Sequence, residues 1–329
     1  IGPSQAGFAS ILQESLPSDR RHEVVFRRMQ MTKEYAINPF DTPLGNRMPL
    51  ALDHIFLKNF LSIVATPENG ELPNSMVDLI GAVITELYRY YSDKENRNNN
   101  PKAYVTGDYE VDAGLKKYNI VPPKLWWECV DAFMNVGDVH LAHIAQRYAV
   151  PRLEDLISFS SPQIEQRYSK SFVGNTTQTI MEFLRVMAES VVAEYPVLAY
   201  PTSFDLGGAR VAILDLQSVI GAGGEAGDKQ TAMMYMLARY VLTNEFYHSE
   251  DILSQFNPDY YEYHEERISQ IRATPKRIVF DEFHNTKRAK GVVDQIERDM
   301  REGRKWNVLI ALASQSLCDF KDIFFELAS

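Results

Sequence analysis

Arg277-Ile-Val-Phe-Asp-Glu-Phe-His284 reads as a short apolar strand that delivers two adjacent carboxylates, Asp281 and Glu282, to its carboxyl end. Ligands of open α/β sheets bind at that edge. A first carboxylate there suits Mg²⁺, which prefers few carboxylates together with phosphates and water. The second suits polarising a water for attack on a γ-phosphate. The plain alternative is a strand ending in a solvated acidic turn, because a hydrophobic run followed by Asp-Glu is common. Downstream, Val308-Leu-Ile-Ala-Leu-Ala313 is a second strand, and it ends in Ser314-Gln315-Ser316. A polar side chain at the tip of a neighbouring strand, Gln315 above all, is placed to sense the γ-phosphate or orient the water.

Between these strands lies a helical pattern over 286–302 that ends in Arg298-Asp-Met-Arg301-Glu-Gly-Arg304-Lys305. Arg301 and Arg304 are candidates for neutralising phosphate charge, across a subunit boundary in particular. Equally, cations favour helix C-termini and Gly303 is a reasonable C-cap. Upstream, Val211-Ala-Ile-Leu-Asp-Leu216 is a third strand, followed by a helix over 229–247. Strands alternating with helices imply right-handed crossovers and a parallel sheet. The segments 23–29 and 35–38 are further strand candidates, and Ile1-Gly-Pro-Ser4 looks like the tail of a strand running into a turn.

From about residue 50 the apolar period becomes helical. Leu52, Ile55, Phe56, Phe60, Ile63 and Val64 recur at three- and four-residue steps, and 75–91 repeats the pattern. Helical periodicity returns at 123–135, 138–148, 152–158 and 177–194, with a polar, Asn-rich loop at 93–102. The expected organisation is therefore a first part of an α/β core at 1–50, an all-helical insertion at 51–195, and a second part of the core at 196–329.

Net charge is −10, which argues against a broad nucleic-acid-coating surface. No apolar run approaches the roughly 20 residues of a membrane helix. The only cysteines, Cys129 and Cys318, make neither a disulfide framework nor a zinc pair and read as free thiols. His140 and His143 share a helix face without a third ligand, and His264-Glu265-Glu266 lacks the second His of HExxH. Trp126 and Trp127 read as core of the helical insertion. Gly221-Ala-Gly-Gly-Glu-Ala-Gly-Asp-Lys-Gln-Thr231 imitates both a dinucleotide fingerprint and a Walker A loop. As a Walker A loop it fails, because Asp228 separates Gly227 from Lys229 and a carboxylate in the phosphate nest repels the ligand. It is expected to be a flexible loop capping the helix at 229–247.

Taken in order, Ile1-Gly-Pro-Ser4, Ile37-Asn-Pro-Phe-Asp-Thr-Pro-Leu-Gly-Asn-Arg47, Tyr200-Pro-Thr-Ser-Phe-Asp205, Asp281-Glu-Phe-His284 and Gly303-Arg-Lys-Trp-Asn307 before a Ser-Gln strand end resemble the DotO/IcmB ATPases of type IVB (Dot/Icm) secretion systems and the related TraU proteins. These lie within the RecA/HerA-like type IV secretion and conjugation ATPases. The resemblance implies a P-loop NTPase core, with the Walker A Lys upstream of Ile1 and further core elements after the Gln strand. It implies that Asp281 ligates Mg²⁺, that Glu282 is the catalytic base and that Gln315 is the sensor, with ATP and Mg²⁺ as cofactors. It further implies a hexamer, peripheral at the cytoplasmic face of the inner membrane. Expected partners are other secretion ATPases, inner-membrane channel components and effector proteins; nucleic acid is not expected. Two other readings share the residues: a DNA translocase of the same core class, and a docking subunit that keeps the fold without hydrolysis.

Overall fold

The structure, a computed structural model, describes residues 5–67, 71–94, 98–204, 206, 208–288, 290–320, 324 and 326. In chain order its elements are α1 (Gln5–Ser15), β1 (Val24–Arg28), α2 (Ala51–Ala65), α3 (Met76–Tyr91), α4 (Tyr109–Lys117), α5 (Trp126–Asn135), α6 (Val139–Ala149), α7 (Leu153–Ser158), α8 (Pro162–Tyr168) and α9 (Ile180–Glu194). These are followed by β2 (Val211–Asp215), α10 (Gly224–Thr243), α11 (Tyr261–Ala273), β3 (Lys276–Phe280), α12 (Lys290–Glu302) and β4 (Val308–Leu312). The fold is mixed α/β and mostly helical. Among the described residues no helix is long and apolar enough to cross a membrane.

Packing divides the chain into an α/β unit (Ile1–Tyr35, Ser203–His248, Ile268–Ser329) and a helical unit (Ala36–Thr202, Ser249–Arg267). The helical unit thus takes in 36–50, 196–202 and 249–267 besides the span that shows helical periodicity. The reason is side-chain anchoring: Asn46 and Asn257, which carry no helical period, bond each other (2.9 Å), and His264 bonds the Leu44 carbonyl (2.8 Å).

Among the described residues the α/β unit holds two parallel two-stranded sheets, β1 with β2 and β3 with β4, and not the single parallel sheet expected from the alternation of strands and helices. Register pairs Val24 with Val211 and Arg28 with Asp215 in the first, and Lys276 with Val308 and Phe280 with Leu312 in the second. Parallel pairing needs a crossover, and α12 supplies it between β3 and β4. Ile278, Phe280, Phe283, Val292, Val293, Ile296 and Val308 form the core beneath that sheet. Its other face is open, with Val279 60% and Leu309 54% exposed. The candidate strand at 35–38 does not form: 33–35 is a 3-10 turn and 36–38 is irregular. Its backbone bonds go elsewhere, Ile37 N–H to the Val197 carbonyl (2.8 Å) and Asn38 N–H to Thr202 Oγ1 (2.9 Å).

The helices of the second unit are capped as their sequences dictate. Asp108 accepts from the Glu110 and Val111 amides at the start of α4 (3.1 and 3.0 Å). Thr179 and Glu182 form a reciprocal capping box on α9. α3 buries Leu79, Ile80, Val83, Ile84 and Leu87 along one stripe. Trp126 and Trp127 are buried in the core of α4, α5 and α6, as expected. Cys129 is a buried free thiol in the same core, its pKa pushed up to about 12 by burial first and by Glu128 and Asp112 next.

In the irregular segment 36–50, Asp41 accepts hydrogen bonds from Thr202 Oγ1 and, at 3.3 Å, from Asn38 Nδ2. Burial raises its carboxyl from the ordinary 3.8 to about 6, although these bonds and the charge of Arg147 oppose the shift. A folded value above the unfolded one means that folding favours the acid form. The contribution is therefore full below about pH 4 and is lost as the pH climbs through about 6. Stability of the wild type is expected to fall by about 1–2 kcal/mol between about pH 4.5 and 7 on this account, the figure allowing for partial solvent access. Asp41→Asn keeps an acceptor for Thr202 and cannot ionise, so denaturant melts at the two pH values should show that loss shrink in the variant. An unchanged difference would remove Asp41 as its source.

Candidate functional site

Asp281 and Glu282 stand where the sequence places them, in an exposed turn directly after β3. The β3–β4 ladder runs one step past the strands: Ala313 N–H donates to the Phe280 carbonyl (2.9 Å) and Phe283 N–H to the Ala313 carbonyl (2.8 Å). Phe283, 1% exposed, pins the turn from below, stacked on Phe320 at 5.5 Å and edge-on to Phe324 at 5.5 Å. Held at both ends, the chain turns sharply, and Glu282 takes φ +52, a left-handed conformation uncommon for a residue with a Cβ. Its amide donates back to Asp281 Oδ1 (3.0 Å). Its carbonyl accepts from Asn285 N–H (2.9 Å), and Asn285 Nδ2 donates to its Oε2 (3.3 Å). The pair is thus a constrained turn at the carboxyl edge of a parallel sheet.

Gln315 lies at the same edge, two residues beyond Ala313 and exposed. Beside it Ser314 Oγ donates to Asp319, and Ser316 Oγ accepts from the Cys318 amide (3.2 Å), so the strand end is itself a braced turn. Arg301 and Arg304 are not brought to this edge. α12 carries the chain back, and the Lys276 N–H to Asn307 carbonyl bond (2.9 Å) sets the 304–307 turn at the opposite end of β3. Five residues of strand intervene, roughly 16 Å at about 3.3 Å each. Arg301 instead bonds Glu297 one turn back (3.0 Å) in the last turn of the helix, where a cation is favoured. Gly303 is required just beyond, since a Cβ there would stand 2.6 Å from the Val308 carbonyl oxygen.

Two neighbours escape sequence reading. Asn285 is visible only as an Asn three residues after Glu282, a spacing that brings a turn back on itself. Tyr235 on α10 has no sequence signal. Its hydroxyl pKa is pushed up to about 12 by burial first and by the charges of Glu282 and Asp281 next, which places it near the pair. α10 itself holds a correction. The glycine-rich segment is not a flexible loop before a helix at 229, because α10 begins at Gly224 and ends at Thr243. Gly221 packs so closely on Gly227 that a Cβ would come within 2.2 Å, and the Thr231 hydroxyl ties both, donating to the Gly227 carbonyl (2.7 Å) and accepting from Gly221 N–H (3.2 Å). Asp228 and Lys229 therefore sit inside the helix, and no phosphate nest forms there.

The residues present fit one part of the expected cofactor. Among the described residues no three His, Cys, Asp or Glu side chains gather as a metal cage. An exposed Asp-Glu pair with the rest of the shell left to phosphate and water is what Mg²⁺ tolerates. A backbone cradle for the phosphates is not found among the described residues. His140 meets Glu110 (3.3 Å) and His143 faces Tyr263 (3.5 Å), so that pair is not drawn to a common ligand. Compared with known proteins, the chain gives no significant match to any family model, curated protein or solved structure.

Proposed function

We propose that this chain carries the hydrolytic edge of an ATPase motor with a RecA/HerA-like core, serving a type IVB secretion system in assembly or effector translocation. The observation that supports it most is the Asp281-Glu282 turn: two acids at the carboxyl edge of a parallel strand, the second in a left-handed conformation fixed from both sides. Strained backbone persists where surroundings over-determine it and is concentrated at functional sites. In this reading Asp281 holds the Mg²⁺ of Mg-ATP, which supplies charge neutralisation at the phosphates. Glu282 accepts the proton of the attacking water, Asn285 keeps its carboxylate turned toward that water, and Gln315 orients the same water from the adjoining strand.

In this reading the phosphate cradle is that of a Walker A loop, which the resemblance to the DotO/IcmB ATPases implies. Arg301 and Arg304, at the far end of β3, serve only a neighbouring subunit's nucleotide in a hexamer. The motor works peripherally at the inner membrane with other secretion ATPases and channel components.

The test is ATP turnover by the protein extended to include the Walker A loop, with and without single-stranded DNA. Mg²⁺-dependent turnover indifferent to DNA is the expected result. Turnover stimulated by DNA and steeply weakened by salt would transfer the proposal to a nucleic-acid translocase. Absence of turnover under both conditions would favour a docking subunit.

A further inference from the structure

In a chain of net charge −10, Arg20-Arg-His-Glu-Val-Val-Phe-Arg-Arg28 is locally cationic. Its outer arginines are neutralised: Arg20 forks onto Glu23 at 2.8 and 2.9 Å, and Arg28 meets Asp215 at 3.0 Å. Arg21 and Arg27 are different. Neither pairs with a carboxylate among the described residues; Arg27 reaches only the Phe26 carbonyl, at 3.2 Å. Both line a cavity of about 580 Å³ between α1 and β1, together with His22. Among the described residues no carboxylate lines it. Its remaining wall is largely apolar, with Ala9 on α1 and Val25 and Phe26 on β1. Gln13 fixes the two elements to each other through the Val24 carbonyl (2.7 Å), so the wall is built rather than incidental.

The volume lies within the range of small-molecule sites, about 300–1,000 Å³. Two guanidinium groups without a carboxylate partner on one cavity wall offer a dianion planar donor forks that match its oxygens. An apolar wall beside them suits a ligand with a hydrocarbon part.

We propose that the α1–β1 cavity binds a phosphate ester bearing an apolar group, with Arg21 and Arg27 on the phosphate and the α1–β1 wall on the hydrocarbon. A free organic phosphate and a lipid headgroup share this chemistry. The site does not rest on the Asp281-Glu282 reading.

Calorimetric titration of the 329-residue chain with hexyl phosphate, hexanol and inorganic phosphate tests it. Hexyl phosphate is expected to bind about tenfold or more tightly than either half alone, and Arg21→Gln with Arg27→Gln to lose about tenfold or more. Should that double variant fold poorly, Ser10→Trp fills the cavity from an exposed position and is expected to abolish binding with the arginines intact. Competition of hexyl phosphate by phosphatidic acid vesicles, but not by phosphatidylcholine vesicles, would assign the ligand to a lipid; competition by neither would assign it to a soluble ester. Hexanol matching hexyl phosphate, or affinity unchanged in both variants, would overturn the proposal.

Discussion

Glu282→Gln is expected to lower ATP turnover by about 10²–10⁴-fold, the range typical of a lost general base, while nucleotide affinity stays within a small factor. The substitution is nearly isosteric. It retains an oxygen for the Asn285 amide and leaves the turn, set by Phe283 and by the Ala313 backbone bond, in place. What is removed is the negative charge, and with it the capacity to accept a proton. A fall in kcat with little change in KM is therefore the signature, because the interaction matters only as the water loses its proton. The measurement is steady-state hydrolysis alongside binding of a fluorescent nucleotide, on the protein that includes the Walker A loop. Undiminished turnover would reduce the Asp281-Glu282 turn to a solvated acidic strand end.

Arg47→Met is expected to destabilise the helical unit by about 3–5 kcal/mol, the cost of leaving buried charges without their partner. Its side chain is 5% exposed. It forks onto Asp93 at 2.9 and 3.2 Å, reaches Asp131 at 2.7 Å and the Gly45 carbonyl at 2.9 Å, and lies 4.4 Å from the Trp127 ring. Asp131 is also held by the Tyr260 hydroxyl at 2.6 Å. One guanidinium therefore joins the irregular segment 36–50 to α5 and, through Tyr260, to 249–267.

Burial opposes the Arg47 charge, yet Asp93 and Asp131 outweigh it and hold its pKa above the ordinary arginine value. Thermal melting should show a drop of about 10 °C, at about 2–4 °C per kcal/mol for a body of this size. Hydrogen exchange should lose protection in 36–202 and 249–267 first. Adding Asp93→Asn and Asp131→Asn to Arg47→Met should recover part of the loss, since removing both partners costs less than removing one. A melting temperature unmoved by Arg47→Met would mean that the two carboxylates are satisfied by solvent.

The elements that sequence reading found share one property: their pattern is local. The period of three and four in 76–91, the Thr179–Glu182 box and the apolar runs of β2, β3 and β4 need only a short window. α4, α8 and α11 were not legible. Their apolar positions are few, and α11, Tyr-Glu-Tyr-His-Glu-Glu-Arg-Ile-Ser-Gln-Ile-Arg-Ala, is mostly polar. The 35–38 segment misled in the other direction, because strand-like residues there spend their backbone bonds on Val197 and Thr202, more than 150 residues away. The glycine run misled because Gly in quantity signals a loop, whereas Gly221 and Gly227 permit a close approach that lets the helix begin early.

Sequence alone determined that two acids close an apolar strand, that a polar strand tip follows, and that the middle of the chain is helical, because alternation and helical periodicity are properties of neighbouring residues. Tertiary structure alone decided that Gln315 shares an edge with Asp281 and Glu282 while Arg301 and Arg304 stand at the other end of β3. It decided as well that Asn285 and Tyr235 attend the pair, and that Arg47 gathers carboxylates from distant parts of the chain. Such adjacency depends on strand register, on the direction of the crossover helix and on which buried charge finds which partner, and none of these is written in the spacing of residues along the chain.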